Sequence, residues 1–152
     1  AYNEPTLVMA TKGTIKSEKF NLLFHKYNNH KTYLLPCVGL ADLIENGDKE
    51  ELEKYLKRTL GLYKGLVKNV VLGCTHYPLI QKDIGQVLGN DIKFFNGANR
   101  LAIHLKEVLS EQNLLNDNIE KDNNYKEKIE FKDSSGKKEK LERFYELLND
   151  NI

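Results

Sequence analysis

Cys74, Thr75 and His76 stand directly after the apolar run Asn69-Val70-Val71-Leu72-Gly73 and directly before Tyr77-Pro78. A thiolate is a base and a nucleophile, and an imidazole two residues away can orient the sulfur, bind a carboxylate or carry a proton. Thr75 adds a hydroxyl and a backbone N–H. Gly73 lets another backbone come close. If the run is a strand of a parallel sheet and Pro78 opens a helix, these residues lie at the sheet's carboxyl edge, where ligands bind and a positive helix end favours the thiolate. The chemistry suggested is a thiol serving a small anionic substrate. Taken alone, Cys-x-His favours a packed cysteine beside a satisfied histidine. Zinc would require ligands at paired spacing, and His25, His30 and His104 are scattered, so no metal is expected. No cysteine-protease signature is present.

The elements that must position this group can be read along the chain. Residues 7–10, an apolar run closed by Gly13, predict a strand buried on both faces. Phe20, Leu23, Phe24 and Tyr27 predict an amphipathic helix over residues 15–29, with Thr14 or Ser17 as N-cap. Thr32 to Pro36 is the second strand. Leu52, Tyr55, Leu56, Leu60, Tyr63 and Val67 keep helical spacing behind Asp48 as a cap. Residues 69–73 form the third strand, and Ile80, Ile84, Val87 and Leu88 form a helical stripe stopped by Gly89. Ile92 to Phe95 is the fourth strand, and Ala98, Leu101, Ala102, Leu105 and Leu109 mark a further helix. This alternation predicts an α/β fold, a three-layer sandwich in which a short parallel sheet is flanked by helices. Residues 1–96 would form the lobe carrying Cys74. Residues 97–152 would supply a helix, a charged linker rich in Asn and Asp at 113–125, an edge strand over 128–132, and a helix with the stripe Leu141, Phe144, Tyr145 and Leu148. That tail is expected to be disordered or buried against another copy, because its stripe lacks an obvious cover.

Bulk properties narrow the function. At 152 residues and 40% apolar content the chain can bury one core, and 23 basic residues nearly cancel 22 acidic ones. No large basic field is available for nucleic acid. No apolar run spans a membrane and no signal-peptide layout opens the chain, so a cytoplasmic location is expected. Two cysteines without a CxxC suit a reducing compartment, a disulfide being the disfavoured alternative. Ala1 to Pro5 leads straight into a strand, as in a piece cut from a longer chain.

The ten residues Val71-Leu72-Gly73-Cys74-Thr75-His76-Tyr77-Pro78-Leu79-Ile80 closely resemble the C-terminal cysteine motif of glutamate racemases. Ala10-Thr11-Lys12-Gly13-Thr14-Ile15-Lys16-Ser17 is similar to that family's threonine-containing segment, departing from it at Ala10 and Gly13. The stretch from Leu34 through Glu45-Asn46-Gly47 resembles the one ending in an acidic residue and glycine, although Pro36-Cys37 reverses the common Cys-Pro order. Phe95-Asn96-Gly97-Ala98 also sits where family members have such a segment.

The resemblance implies racemisation of glutamate at Cα by two cysteines on opposite faces of the substrate, without pyridoxal phosphate, metal or other cofactor. Cys74 would be base for L-glutamate and acid for D-glutamate. Thr75 and His76 would hold substrate carboxylate and assist proton transfer, with Thr14 and Thr11 as further substrate-binding candidates. Glu45 would orient His76. The structural alternatives are an N-cap or surface hydroxyl for each threonine, a solvated helix-end carboxylate for Glu45, and a packed thiol for Cys37. The family's first-lobe Cys-Asn-Thr and Tyr-Gly segments do not occur in these residues, so the opposite wall of the site, an N-terminal lobe, is expected from elsewhere and the chain alone is expected to be inactive. A homodimer is a candidate assembly, and the implied role is D-glutamate supply for peptidoglycan in a bacterium. Two other readings are a non-catalytic module binding a small carboxylate or another protein, and a related aspartate or hydantoin racemase.

Overall fold

The computed structural model describes residues 3–27, 31–115 and 129–151. The chain divides into two compact units, Ala1–Asn96 and Gly97–Ile152. In the first, β1 (Thr6–Ala10), β2 (Thr32–Pro36), β3 (Asn69–Leu72) and β4 (Lys93–Phe95) form one sheet in the order β2-β1-β3-β4. Every pairing is parallel. Helices flank the sheet: α1 (Lys12–Lys16), α2 (Glu18–Tyr27), α3 (Leu40–Asn46), α4 (Lys49–Leu60) and α5 (Gln81–Leu88). The fold is therefore the α/β arrangement expected from strand–helix alternation.

Packing is concentrated on α3, α4 and α5. The register sets Leu7 beside Val70 and Met9 beside Leu72, and these four side chains share one buried cluster with Leu40, Ile44, Leu56, Leu60, Ile84 and Leu88. By contrast, α1 and α2 bury no residue fully. Each helix of the main core begins or ends on a residue suited to the task. Asp48 accepts a hydrogen bond from the Glu51 N–H at 3.0 Å and caps α4. Gly39 and Gly47, with φ of 75° and 74°, occupy the left-handed conformation on either side of α3.

Several boundaries differ from those expected. Residues 15–27 are two helices rather than one, because two hydroxyls cap in succession. The Thr11 hydroxyl accepts from the Thr14 N–H at 3.1 Å and starts α1 early, and the Ser17 hydroxyl accepts from the Phe20 N–H at 3.2 Å and starts α2. Ser17 itself is extended, with ψ of 143°, so the chain breaks there. The remaining residues 28 and 29 of that expected helix lie outside the described ones. The helical period behind Asp48 stops at Leu60, with Tyr63 in a 3-10 turn (Gly61–Tyr63) and Val67 beyond Gly65, whose φ is 75°. Helix α3, framed by its two glycines, was not among the expected elements.

The second unit contains α6 (Ala98–Glu111) and α7 (Lys138–Asn151). Most of the stretch 113–125, and Lys128, fall outside the described residues. Residues 129–132 form no strand. Phe131 instead lies against the rings of Phe144 and Tyr145, with centroids 5.6 and 5.0 Å away. The stripe of the tail is thus ordered as a helix and partly covered within its own unit, not disordered.

Candidate active site

Parallel strands deliver their following loops to one edge, and here the register aligns Ala10 with Pro36 and Met9 with Leu72. The segments beginning at Thr11, Cys37 and Gly73 therefore emerge together at the carboxyl edge. Gly73 is required by close approach. Its N–H donates to Met9 O at 2.8 Å, and a Cβ there would stand 2.9 Å from that same oxygen and 3.1 Å from the Ala10 Cβ. With no side chain at 73, the end of β3 lies hard against β1 and Cys74 follows at once.

Cys74 is a half-buried free thiol whose Sγ lies 3.6 Å from His76 Nδ1. The other ring nitrogen, Nε2, is 2.8 Å from Glu45 Oε1. A carboxylate can only accept, so Nε2 donates to Glu45, and this leaves Nδ1 as the ring nitrogen that faces the thiol. Glu45 reaches this position because Leu40 and Ile44, one turn apart on α3, are buried in the core and fix the helix. His76 and Glu45 remain 30% and 36% exposed, so the pair's value is orientation more than stability.

Beneath this group lies a buried support. Tyr77 is fully buried, and its hydroxyl donates to Cys37 O at 3.4 Å, joining the turn after β3 to the corner after β2 that leads into α3. Burial pushes the Tyr77 phenol up, and burial pushes the Cys37 thiol up to about 11. Cys37 is thus the packed thiol of the pair, its Sγ–H directed to Leu35 O at 3.5 Å. Pro78 lies in the 3-10 turn Tyr77–Ile80, where the Leu79 N–H donates to His76 O at 3.1 Å ahead of α5.

The structure brings together Cys74, His76 and Glu45. Thr11 and Thr14 form a second pair on the β1 loop, with hydroxyl oxygens 2.9 Å apart. Thr11 is an N-cap, and among the described residues no hydrogen bond links the threonine pair to the Cys74 group. Thr75 is exposed. Its backbone N–H and that of His76 donate to no group among the described residues. The tether made by Tyr77 is the feature that sequence reasoning missed, since nothing in the spacing marks a buried hydroxyl. Among the described residues no cluster of His, Cys, Asp or Glu could hold a metal ion, and no helix is long and apolar enough to cross a membrane.

No protein-family model matches the chain. A glutamate racemase of Clostridium kluyveri is 43% identical over 106 residues, which cover 68% of this chain and 41% of that protein. Among solved structures, the Francisella tularensis glutamate racemase in complex with D-glutamate is 32% identical at a TM-score of 0.62, covering 79% of this chain and 47% of that one. The Escherichia coli glutamate racemase in complex with L-glutamate and the activator UDP-MurNAc-Ala is 27% identical at a TM-score of 0.62, over 69% and 42%. The chain therefore spans less than half the length of each of these three relatives.

Proposed function

We propose, on the premise that this chain is a homologue of glutamate racemases, that it carries one of two proton-transfer thiols of a cofactor-independent racemase that interconverts L- and D-glutamate. The observation that carries this reading is the relay from Cys74 through His76 to Glu45 at the carboxyl edge of a parallel sheet. The relatives' complexes with D- and L-glutamate support glutamate as the substrate.

In this mechanism the Cys74 thiolate removes the Cα proton of L-glutamate, and a second thiol delivers a proton from the opposite face. The Cα proton of an amino acid is a poor acid, so the base must be placed and the carbanion-like transition state must be stabilised electrostatically. Oriented by Glu45, the His76 imidazole can take the Cys74 proton at the start of a cycle; once Cys74 has received the Cα proton, the imidazolium releases its proton to solvent, from which the second thiolate is reprotonated. The backbone N–H groups of Thr75 and His76 and the hydroxyls of Thr75, Thr11 and Thr14 are the donors proposed for the substrate carboxylates. The second thiol comes from outside these residues, because Cys37 is buried and held protonated. D-Glutamate made this way would feed a peptidoglycan precursor.

The test compares two proteins by circular dichroism of L-glutamate solutions. The 152-residue chain alone should leave the signal unchanged. The same chain joined to the part of the Clostridium kluyveri racemase that it does not match should drive the signal to zero. Sustained racemisation by the chain alone overturns the two-thiol reading.

A further inference from the structure

Proton transfer at a carbon acid does not exhaust what this group can do. We propose that the chain on its own hydrolyses small activated esters through an acyl-Cys74 intermediate, with His76 as base and acid and Glu45 holding the imidazole. The inference needs only one thiol, so it does not rest on the racemase reading.

Three observations carry it. The order thiol, imidazole, carboxylate, with separations of 3.6 and 2.8 Å, is the arrangement by which a nucleophile is activated and its base oriented. Cys74 sits in the turn between β3 and the 3-10 turn Tyr77–Ile80, half-buried and free. The backbone N–H groups of Thr75 and His76, which engage no group among the described residues, follow the sulfur immediately in sequence, and such donors stabilise an oxyanion. The substrate class follows from the surroundings: the sulfur lies at a sheet edge and Thr75 beside it is exposed, which suits a small acyl group with a good leaving group.

The step balances without any further reactant than water. His76 Nδ1 takes the proton from Cys74 Sγ as the sulfur attacks the ester carbonyl, and the C–S bond forms. Collapse of the tetrahedral adduct breaks the C–O bond, and the imidazolium gives its proton to the departing oxygen. Water, deprotonated by His76, then attacks the thioester and the C–S bond breaks, releasing a carboxylic acid and the free thiol. Cys37 does not compete, being buried with its thiol pushed up to about 11.

The experiment follows nitrophenolate release from p-nitrophenyl acetate by the 152-residue chain near neutral pH, with mass spectrometry of peptides quenched at short times. Expected are several turnovers per chain and an acetyl group on Cys74 at early times. Cys74→Ala should fall to the buffer rate, and His76→Ala should be slower by about 100-fold or more. Should His76→Ala lose its fold by circular dichroism, Glu45→Gln, changed at a partly exposed carboxylate, carries the same test with a several-fold loss. Release no faster than by an equal concentration of N-acetylcysteine overturns the proposal. So does a single equivalent that leaves Cys74 acetylated, or a rate retained in Cys74→Ala. None of these outcomes bears on racemisation by the joined protein.

Discussion

Two cysteines on neighbouring corners of one sheet edge have opposite environments. Cys37 is 4% exposed and packs among Leu40, Ile44 and Tyr77, so its thiolate is penalised by desolvation and by the nearby Cys74. Cys74 is half-buried and faces an imidazole. The raised Cys37 value has a thermodynamic consequence with a definite sign. Below the ordinary value of 9.0 the thiol is protonated in both folded and unfolded chains, and its contribution to stability is fully present. As pH rises from there toward about 11 the unfolded chain ionises first, binds fewer protons, and is favoured. About 2–3 kcal/mol should be lost across that window. Urea unfolding of the parent and of Cys37→Ala at about pH 8 and about pH 10.5 measures it. The parent should lose more stability than the variant between the two pH values, and equal losses would show that Cys37 ionisation is not responsible.

At the scale of elements, the site depends on how closely β3 approaches β1. Gly73 to Ala would put a methyl group 2.9 Å from a backbone oxygen that belongs to the neighbouring strand and cannot swing away. The end of β3 would have to shift, at a cost of about 1–3 kcal/mol, and Cys74 would shift with it. Urea denaturation of Gly73→Ala should show that loss together with a weaker ester reaction at Cys74, and unchanged stability would contradict the close-packing argument. The four strands were legible in the sequence because each is an apolar run of β-rich residues between glycine, proline or polar residues. The place of Cys74 and His76 at the strand's end was legible for the same reason, while their choice as candidate site residues came from the family resemblance of the ten residues Val71 to Ile80. What the sequence hid were competitions between local signals. The hydroxyls of Thr11 and Ser17 each captured a helix start and divided one periodic stretch into two helices. The alternation of Ile129 and Phe131 imitates a strand, yet Phe131 is taken up by the rings of α7. The Glu45 to His76 contact joins positions 31 residues apart, and its expectation came from family resemblance, not from spacing.

At the scale of the whole molecule, charge is close to balanced, at a formal net +1, so no broad field is available to gather an anionic ligand. The Clostridium kluyveri relative is matched over 41% of its length, and the proposal assigns the second thiol to the part that this chain does not match. A reaction that inverts a carbon centre needs a proton donor opposite the base, and precise placement of both contributes much of the rate. The claim that matters most is that Cys74 exchanges the Cα proton. It is tested most directly by running the joined protein and its Cys74→Ala form in deuterium oxide with each enantiomer, and following deuterium at Cα by mass spectrometry together with chirality. The parent should place deuterium at Cα while converting L- to D-glutamate and the reverse, and Cys74→Ala should convert neither. Conversion that survives the loss of Cys74 would remove it from the mechanism and contradict the account.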